Sequence, residues 1–302
     1  MKNNYYQPSR KFSPISLLYF AALSIIGLPI LALIYSYCIW YIPFVYINLF
    51  ITIGFGIGTG LIIRSFAVKI GKVRNPTIGF LLGAIGGCIA LYFNWAIWVD
   101  LAINSGESYG NSRIGITVSN IEFLQVFSLI AQPGLLLELI KEIGEYGTWG
   151  IRGATVSGVF LYIIWAIEAL IVIGISAILP WQKAGEPFCE LSNQWYPEKE
   201  LPAFDKIKNK EEFIANLEQG ITPEVFSDLI KIEDVKKQSH SIFTLYTSDQ
   251  GVNYLSINNK TATRNEKGEI KFESDAIVEY ITISKAIIQL LEAKQTTSEQ
   301  AH

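Results

Sequence analysis

One carboxylate, Glu168, sits inside the apolar stretch "YIIWAIEALIVIGI" at residues 162–175. A charged group at the centre of a membrane helix costs about 2.5–3.5 kcal/mol on insertion scales, so such a residue is a functional-site hypothesis by default. Hydrocarbon favours the neutral acid, which can both donate and accept a hydrogen bond. Three roles fit: an interhelical hydrogen bond, pairing with a polar or basic group of another protein, or passage of a proton or cation. Partners on offer in other apolar runs are Asn94, Thr52, Thr59 and Ser24, with Arg64 within reach only if its helix is shifted or tilted. Relay pathways need several polar groups in series, and these runs supply few.

Other constellations carry less chemistry. Cys189-Glu-Leu-Ser192 has the spacing of a zinc knuckle with Ser in place of the second Cys. A structural zinc site takes four N or S ligands, and the polar C-terminal region offers one Cys and two His, His240 and His302. No metal site is expected. Cys38 and Cys88 lie in apolar runs and read as small core residues. "GFGIGTG" at 54–60 imitates a dinucleotide motif, but lacks the strand–turn–helix setting. A nucleophile needs a base within hydrogen-bond reach, and neither Cys189 nor Ser241 has a recognisable set. Glu211 and Glu212 read as a solvated helix face. No cofactor is expected, and the chain is not expected to be an enzyme.

The elements that position these residues follow from composition. Hydrophobic residues make up 50% of the 302 and charged ones 17%, against about a quarter charged in soluble domains. The apolar excess falls in four runs of a length that crosses about 30 Å of hydrocarbon: 15–39, 44–66, 77–98 and 156–179. The first is too long for the 7–15-residue core of a cleaved leader and reads as a retained anchor. Trp40, Trp98 and Trp181 mark span ends. Pro29, in the middle of the first run, removes a backbone donor and predicts a kink. The expected organisation is a tail over 1–14, a four-span transmembrane domain over 15–180 with a loop over 99–155, and a soluble domain over 181–302. The fold class is an all-α membrane bundle of four transmembrane helices plus a small soluble α+β domain.

Charge sets the direction. Residues 1–99 hold seven Lys or Arg and no Asp or Glu, while 181–302 hold 14 basic and 20 acidic residues. Basic residues concentrate on the cytoplasmic side. The N-terminal tail (Lys2, Arg10, Lys11) and the second link (Lys69, Lys72, Arg74) are therefore expected inside, with the 99–155 loop outside and both termini cytoplasmic. In that loop, 133–145 repeats Leu and Ile at helical spacing opposite Glu138, Lys141, Glu142 and Glu145. This is an amphipathic helix that packs on the span ends or headgroups, or meets a partner. The preceding "NIEFLQVFSLIA" could be partly re-entrant.

Small residues allow close helix approach in lipid. Gly79, Gly83 and Gly87 lie on one face of the third span, and the second carries Gly54, Gly56, Gly58 and Gly60, two overlapping pairs at four-residue spacing; a glycine face that lines a pore or meets another subunit is the functional alternative. A ten-residue link predicts that these two spans pack as an antiparallel hairpin. In the soluble domain, 210–219, 222–231 and 284–294 read as helices. Residues 241–247, 252–257, 269–273 and 277–283, separated by the turn signals "DQG", "EKG" and "SD", read as a meander of strands. The last eight residues read as disordered. No basic stripe exists, so nucleic acid is not an expected partner. The lipid bilayer is, together with a protein partner or a homo-oligomer. The expected function is a membrane-anchored adaptor or regulatory subunit of an envelope complex. The alternative is an oligomeric ion or proton channel or carrier using Glu168.

Overall fold

A computed structural model describes residues 4–42, 44–110, 115–147, 149–151, 154–266 and 268–296. Lys2, His302 and most of the C-terminal stretch expected to be disordered lie outside the described residues. The chain forms two compact units, one of residues 9–186 and one of residues 1–8 with 187–302.

The first unit is a helical bundle. Four of its helices are long and apolar enough to cross a membrane: α1 (Ile15–Tyr41), α2 (Tyr46–Ile70), α3 (Pro76–Ile103) and α6 (Gly158–Gly185). Each has a reason in the sequence. Pro29 has no N–H to give, and α1 absorbs the gap in a widened π turn at Leu23–Gly27 without ending. Asn75 caps α3, its side-chain oxygen accepting from the Thr77 and Ile78 amides at 3.0 and 3.4 Å, with Pro76 in the first helical position. The fourth span outruns its apolar stretch. Pro180 is inside α6 and the helix continues to Gly185, because beyond the proline it is held by packing on Gly79 and by charges at its end.

The helices have two distinct ends. Arg64 Nη2 lies 3.1 Å from Glu186 Oε1, and Lys183 bonds the other oxygen of the same carboxylate. Arg10 N–H donates to the Arg74 carbonyl at 3.0 Å, and Arg74 N–H to the Lys11 carbonyl at 2.9 Å. The bundle's first and last described residues thus lie at this basic end. A chain that enters and leaves at one end crosses an even number of times, which fits four spans and leaves the 99–155 loop at the opposite, loop end.

Between α3 and α6 the chain forms a hairpin of β1 (Ser105–Gly110) and β2 (Gly115–Ser119), then α4 (Phe123–Ala131) and α5 (Pro133–Tyr146), then a short pair, β3 (Trp149–Ile151) and β4 (Ala154–Val156). The membrane unit is therefore not purely helical. Helix α5 occupies the predicted amphipathic stretch. It buries Leu136 and packs Leu139, Ile140 and Ile143 on the span ends. Helices α4 and α5 meet at 107°. Gln125 is bonded to Asn104, and the Ile130 carbonyl to the Tyr92 hydroxyl at 2.7 Å. So α4 runs along α3 from its loop end, and the chain turns sharply at Gln132–Pro133.

The second unit contains a sheet in the order β11-β10-β9-β7, with β8 also pairing β9. Its strands are β7 (Glu198–Glu200), β8 (Phe204–Asp205), β9 (His240–Tyr246), β10 (Asn253–Arg264) and β11 (Ile270–Ile283), preceded by a two-stranded knuckle of β5 (Phe188–Cys189) and β6 (Gln194–Trp195). Alternation in β9 buries Phe243 and Leu245, and Ile287 and Leu291 of α8 (Lys285–Thr296) close the core. Helix α7 (Lys210–Gln219) occupies its predicted place.

Three expectations fail here. The "SD" pair at 274–275 is not a turn: Ser274 and Asp275 continue the ladder opposite Lys260 and Asn259, so two predicted strands fuse into β11. The irregularity lies elsewhere, at a bulge where Tyr280 takes φ 55° and its N–H donates to Ser256 Oγ. The predicted helix over 222–231 shrinks to one 3-10 turn at Pro223–Phe226, because Lys231 pairs with Phe204. The N-terminal tail is not independent. Tyr5 pairs with Ile281, and Tyr6 N–H donates to the Tyr280 carbonyl, extending the sheet along the edge of β11.

Candidate functional site

The membrane unit gathers its polar groups toward the loop end. Tyr35 and Thr52 share a hydrogen bond of 3.0 Å, and Ser36 donates to Asn94 Oδ1 at 2.8 Å. These four and Glu168 lie five to ten residues from the loop ends of their helices, or about 8–15 Å deep at 1.5 Å per residue. Trp40, Trp95, Trp98 and Trp165 form a contiguous aromatic cluster beside them, with ring centroids 4.8–6.3 Å apart. Two of the expected span-end markers, Trp40 and Trp98, belong to this cluster. Trp181 is half exposed at the other end.

The partners proposed for Glu168 are bonded elsewhere or left alone. Asn94 holds Ser36, Thr52 holds Tyr35, and Ser24 donates to the carbonyl of Phe20. Thr59 is fully buried, and its hydroxyl has no partner among the described residues. Arg64 is paired with Glu186. Glu168 is half-buried, and among the described residues it makes no hydrogen bond or ion pair. The sequence reading missed Tyr35: a tyrosine in an apolar run carries no period or motif that marks it, and only the fold brings it to Thr52, 3.0 Å away.

The glycines explain why Glu168 is held where it is. A β-carbon on Gly83 would fall 2.7 Å from Ala177 Cα, on Gly79 2.7 Å from the Pro180 carbonyl oxygen, and on Gly87 3.1 Å from Ile173 Cα. The third span thus turns its glycine face on the fourth, not on the second. The second span does the same through Gly56 and Gly60, whose β-carbons would lie 3.2 and 3.1 Å from the Cα atoms of Val172 and Ser176. Of the two overlapping pairs predicted there, Gly56 and Gly60 make this contact, whereas Gly58 faces Leu31 of α1 and Gly54 meets nothing within 4 Å. The expected hairpin of spans two and three is replaced by a bundle in which α6 is the common partner. A short link fixes sequence neighbours, but the closest approach goes to the helix with a matching small-residue groove.

In the second unit the chemical focus is Cys189. The residue is 4% exposed and borders Tyr196 and Tyr246, with Tyr254 and Tyr280 packed against that cluster. Burial pushes the thiol up, but hydrogen bonds from the Ser192 side chain and amide, the Ser248 hydroxyl and the Leu191 amide outweigh it and hold the thiol at about 7. Burial, followed by the nearby Cys189 charge, raises Tyr196 and Tyr254 above the usual tyrosine range. A β-carbon on Gly251 would lie 3.1 Å from Sγ, so this glycine lets the loop close over the sulfur. The knuckle anticipated from Cys189 and Ser192 is thus a hydrogen-bonded turn, with Asn193 at φ 55°. Among the described residues no group of three or more His, Cys, Asp or Glu could hold a metal ion.

The remaining feature is an open sheet edge. Residues 271–276 of β11 are all exposed, and Lys210 bonds to them, 2.9 Å from Asp275 and 2.7 Å from the Ala276 carbonyl. Comparison with protein-family models, curated proteins and solved structures finds no match for the chain.

Proposed function

We propose that the chain is a membrane-anchored adaptor or regulatory subunit of an envelope complex, acting through its soluble unit. The observation that carries this reading is the open stretch of β11, where six consecutive residues present a strand edge. Unpaired edges are hazardous, and proteins normally cover or shorten them. This one is covered by Tyr5 and Tyr6 at its far end and left open over 271–276. An extended segment of a partner can add to such an edge through main-chain hydrogen bonds. The Ala276 carbonyl faces the free side, and so does the backbone two residues back, at Ser274, where a proline removes an outward donor and obstructs that pairing without taking a bond from β10. Ser274→Pro is expected to cut recovery of the partner from the protein's own membranes, in mild detergent, by at least about tenfold, with far-UV circular dichroism unchanged. Equal recovery by the variant and the parent chain refutes this use of the edge.

The location we propose is the cytoplasmic membrane, with both termini in the cytoplasm. The basic end of the bundle carries Arg10, Lys11, Arg64, Lys69, Lys72, Arg74 and Lys183 against Glu186, whereas residues 100–155 hold three basic and six acidic residues. That asymmetry supports a cytoplasmic basic end. A reporter fused after residue 302 is expected to be active only if it is of a kind that works in the cytoplasm; activity of an exported reporter reverses the orientation.

One observation favours a second reading, an oligomeric proton or ion channel or carrier. It is the carboxylate of Glu168, placed in an apolar bundle with no bonded partner among the described residues. A homogeneous ring of this chain alone in detergent supports the second reading; a complex with a different chain supports the first.

A further inference from the structure

The close contacts of α2 with α6 set a register that extends to Glu168. These helices run parallel, and Gly56 meets Val172 while Gly60 meets Ser176. Stepping both helices back one turn sets Thr52 against Glu168, and a second turn sets Asn48 against Ile164. Helical side chains lean toward their own N-terminus, so the Glu168 carboxyl is directed from the level of Thr52 toward that of Asn48. Asn48 Oδ1 is buried and has no hydrogen-bond partner among the described residues. It is an acceptor waiting for a donor. Tyr35 and Thr52 supply the opposite need: two hydroxyls sharing one hydrogen bond of 3.0 Å use one proton and keep the other O–H free.

We propose that Glu168, Asn48 and the Tyr35–Thr52 pair form a proton-binding site open only toward the loop end of the bundle. With the proton on, the carboxyl donates to Asn48 Oδ1. With it off, the carboxylate accepts the spare O–H of the Tyr35–Thr52 pair. Both states are hydrogen-bonded, which is what allows the group to exchange a proton in a site of low polarity. The way inward is shut. Phe55, 3% exposed, stacks on Tyr35 with centroids 4.2 Å apart, and Val172, fully buried, lies one turn below Glu168. Toward the loop end Glu168 is ten residues from the start of α6, and toward the basic end seventeen from its finish, or about 15 against about 26 Å.

Among the described residues no basic group is paired with the carboxylate. Arg64 of α2 lies twelve residues farther along and is held by Glu186. Level with Glu168 on α3 is Tyr92, bonded to Ile130, and Asp100 of the same helix accepts the Glu122 amide at the loop end. Helix α5, with Glu138, Lys141, Glu142 and Glu145, meets α6 higher up, where the Tyr162 hydroxyl donates to the Lys141 carbonyl.

The test is labelling of the full-length protein in liposomes by dicyclohexylcarbodiimide, an apolar reagent for protonated carboxyls, with the Glu168 adduct measured by mass spectrometry. The adduct is expected to fall at least tenfold between about pH 5 and about pH 9. Its midpoint should follow the pH on the loop-end side of the bilayer, and shift by about one pH unit in Asn48→Leu, while Thr52→Ser, which keeps the hydroxyl, leaves it in place. A constant adduct, no adduct, or a midpoint that follows the basic-end pH overturns the proposal. So does suppression by sodium or potassium at fixed pH, which makes a metal ion the occupant. The curve of the parent chain decides the matter even if Asn48→Leu does not fold. The proposal rests on the membrane unit alone, so it can fail while the adaptor reading, which rests on β11, stands.

Discussion

Gly83→Val is expected to dismantle the membrane unit, while Gly54→Val leaves it intact. A β-carbon at position 83 collides with the Ser176 carbonyl and lies 2.7 Å from Ala177 Cα, so the obstacle is backbone and not a side chain that can swing aside. Separation of the helices is resisted on both sides. At Gly79 and Gly87 the same pair is already as close, with hypothetical β-carbons 2.7 Å from the Pro180 oxygen and 3.1 Å from Ile173 Cα. Ser176 also donates across the contact to the Gly83 carbonyl at 3.1 Å. Overpacking costs about 1–3 kcal/mol where a core can adjust. Here the whole face must part, and helices in lipid have little other attraction to draw on. Gly54 has nothing within 4 Å of its hypothetical β-carbon, so the same change there is harmless. The measurement is the thermal unfolding midpoint in detergent. Equal midpoints for the two variants would show that α3 and α6 are not in contact at Gly83.

Phe243→Ala is expected to unfold the soluble unit and spare the membrane unit. Phe243 is fully buried, and its ring meets those of Phe204 and Phe226 edge-on, with centroids 5.0 and 6.5 Å away. Removing a buried phenylalanine costs about 3–5 kcal/mol, a large share of the 5–15 kcal/mol that holds a typical domain together. In the full-length protein, hydrogen exchange of β9 and β10 amides should accelerate by about two to three orders of magnitude, at about 1.4 kcal/mol per tenfold. The amides of α3 and α6 should not change, because the cores of the two units share no residues. Equal acceleration in α3 and α6 would mean that the two units unfold as one.

Much of this was legible in the residues. Twenty consecutive apolar side chains have few fates, so the four spans and the soluble region after them follow from solvation alone. Local signals worked where chemistry is local: Asn75-Pro76 opens a helix, Pro133 opens another, and Lys210–Gln219 is helical as its spacing predicts. They failed where a long-range partner competed. Residues 227–231 carry a helical pattern, yet Lys231 is drawn into pairing with Phe204. "SD" resembles a turn, yet β10 offers a continuous ladder of partners through Lys260 and Asn259. The first residues look like a charged tail, yet Tyr5 and Tyr6 find an unfilled strand edge.

The candidate site divides the same way. By itself the sequence determined that a carboxylate sits inside a run long and apolar enough to cross a membrane, because identity and apolar setting are properties of one segment. It also determined which end of the spans is basic. Tertiary structure alone decided what Glu168 faces. The polar residues of four helices are spaced far apart in the chain, and small rotations decide which of them meet. Here the glycines of α2 and α3 settle the rotation by admitting α6 on one face only, with Asn94 bonded to Ser36, Arg64 to Glu186, and Thr52 to Tyr35 rather than any of them to Glu168.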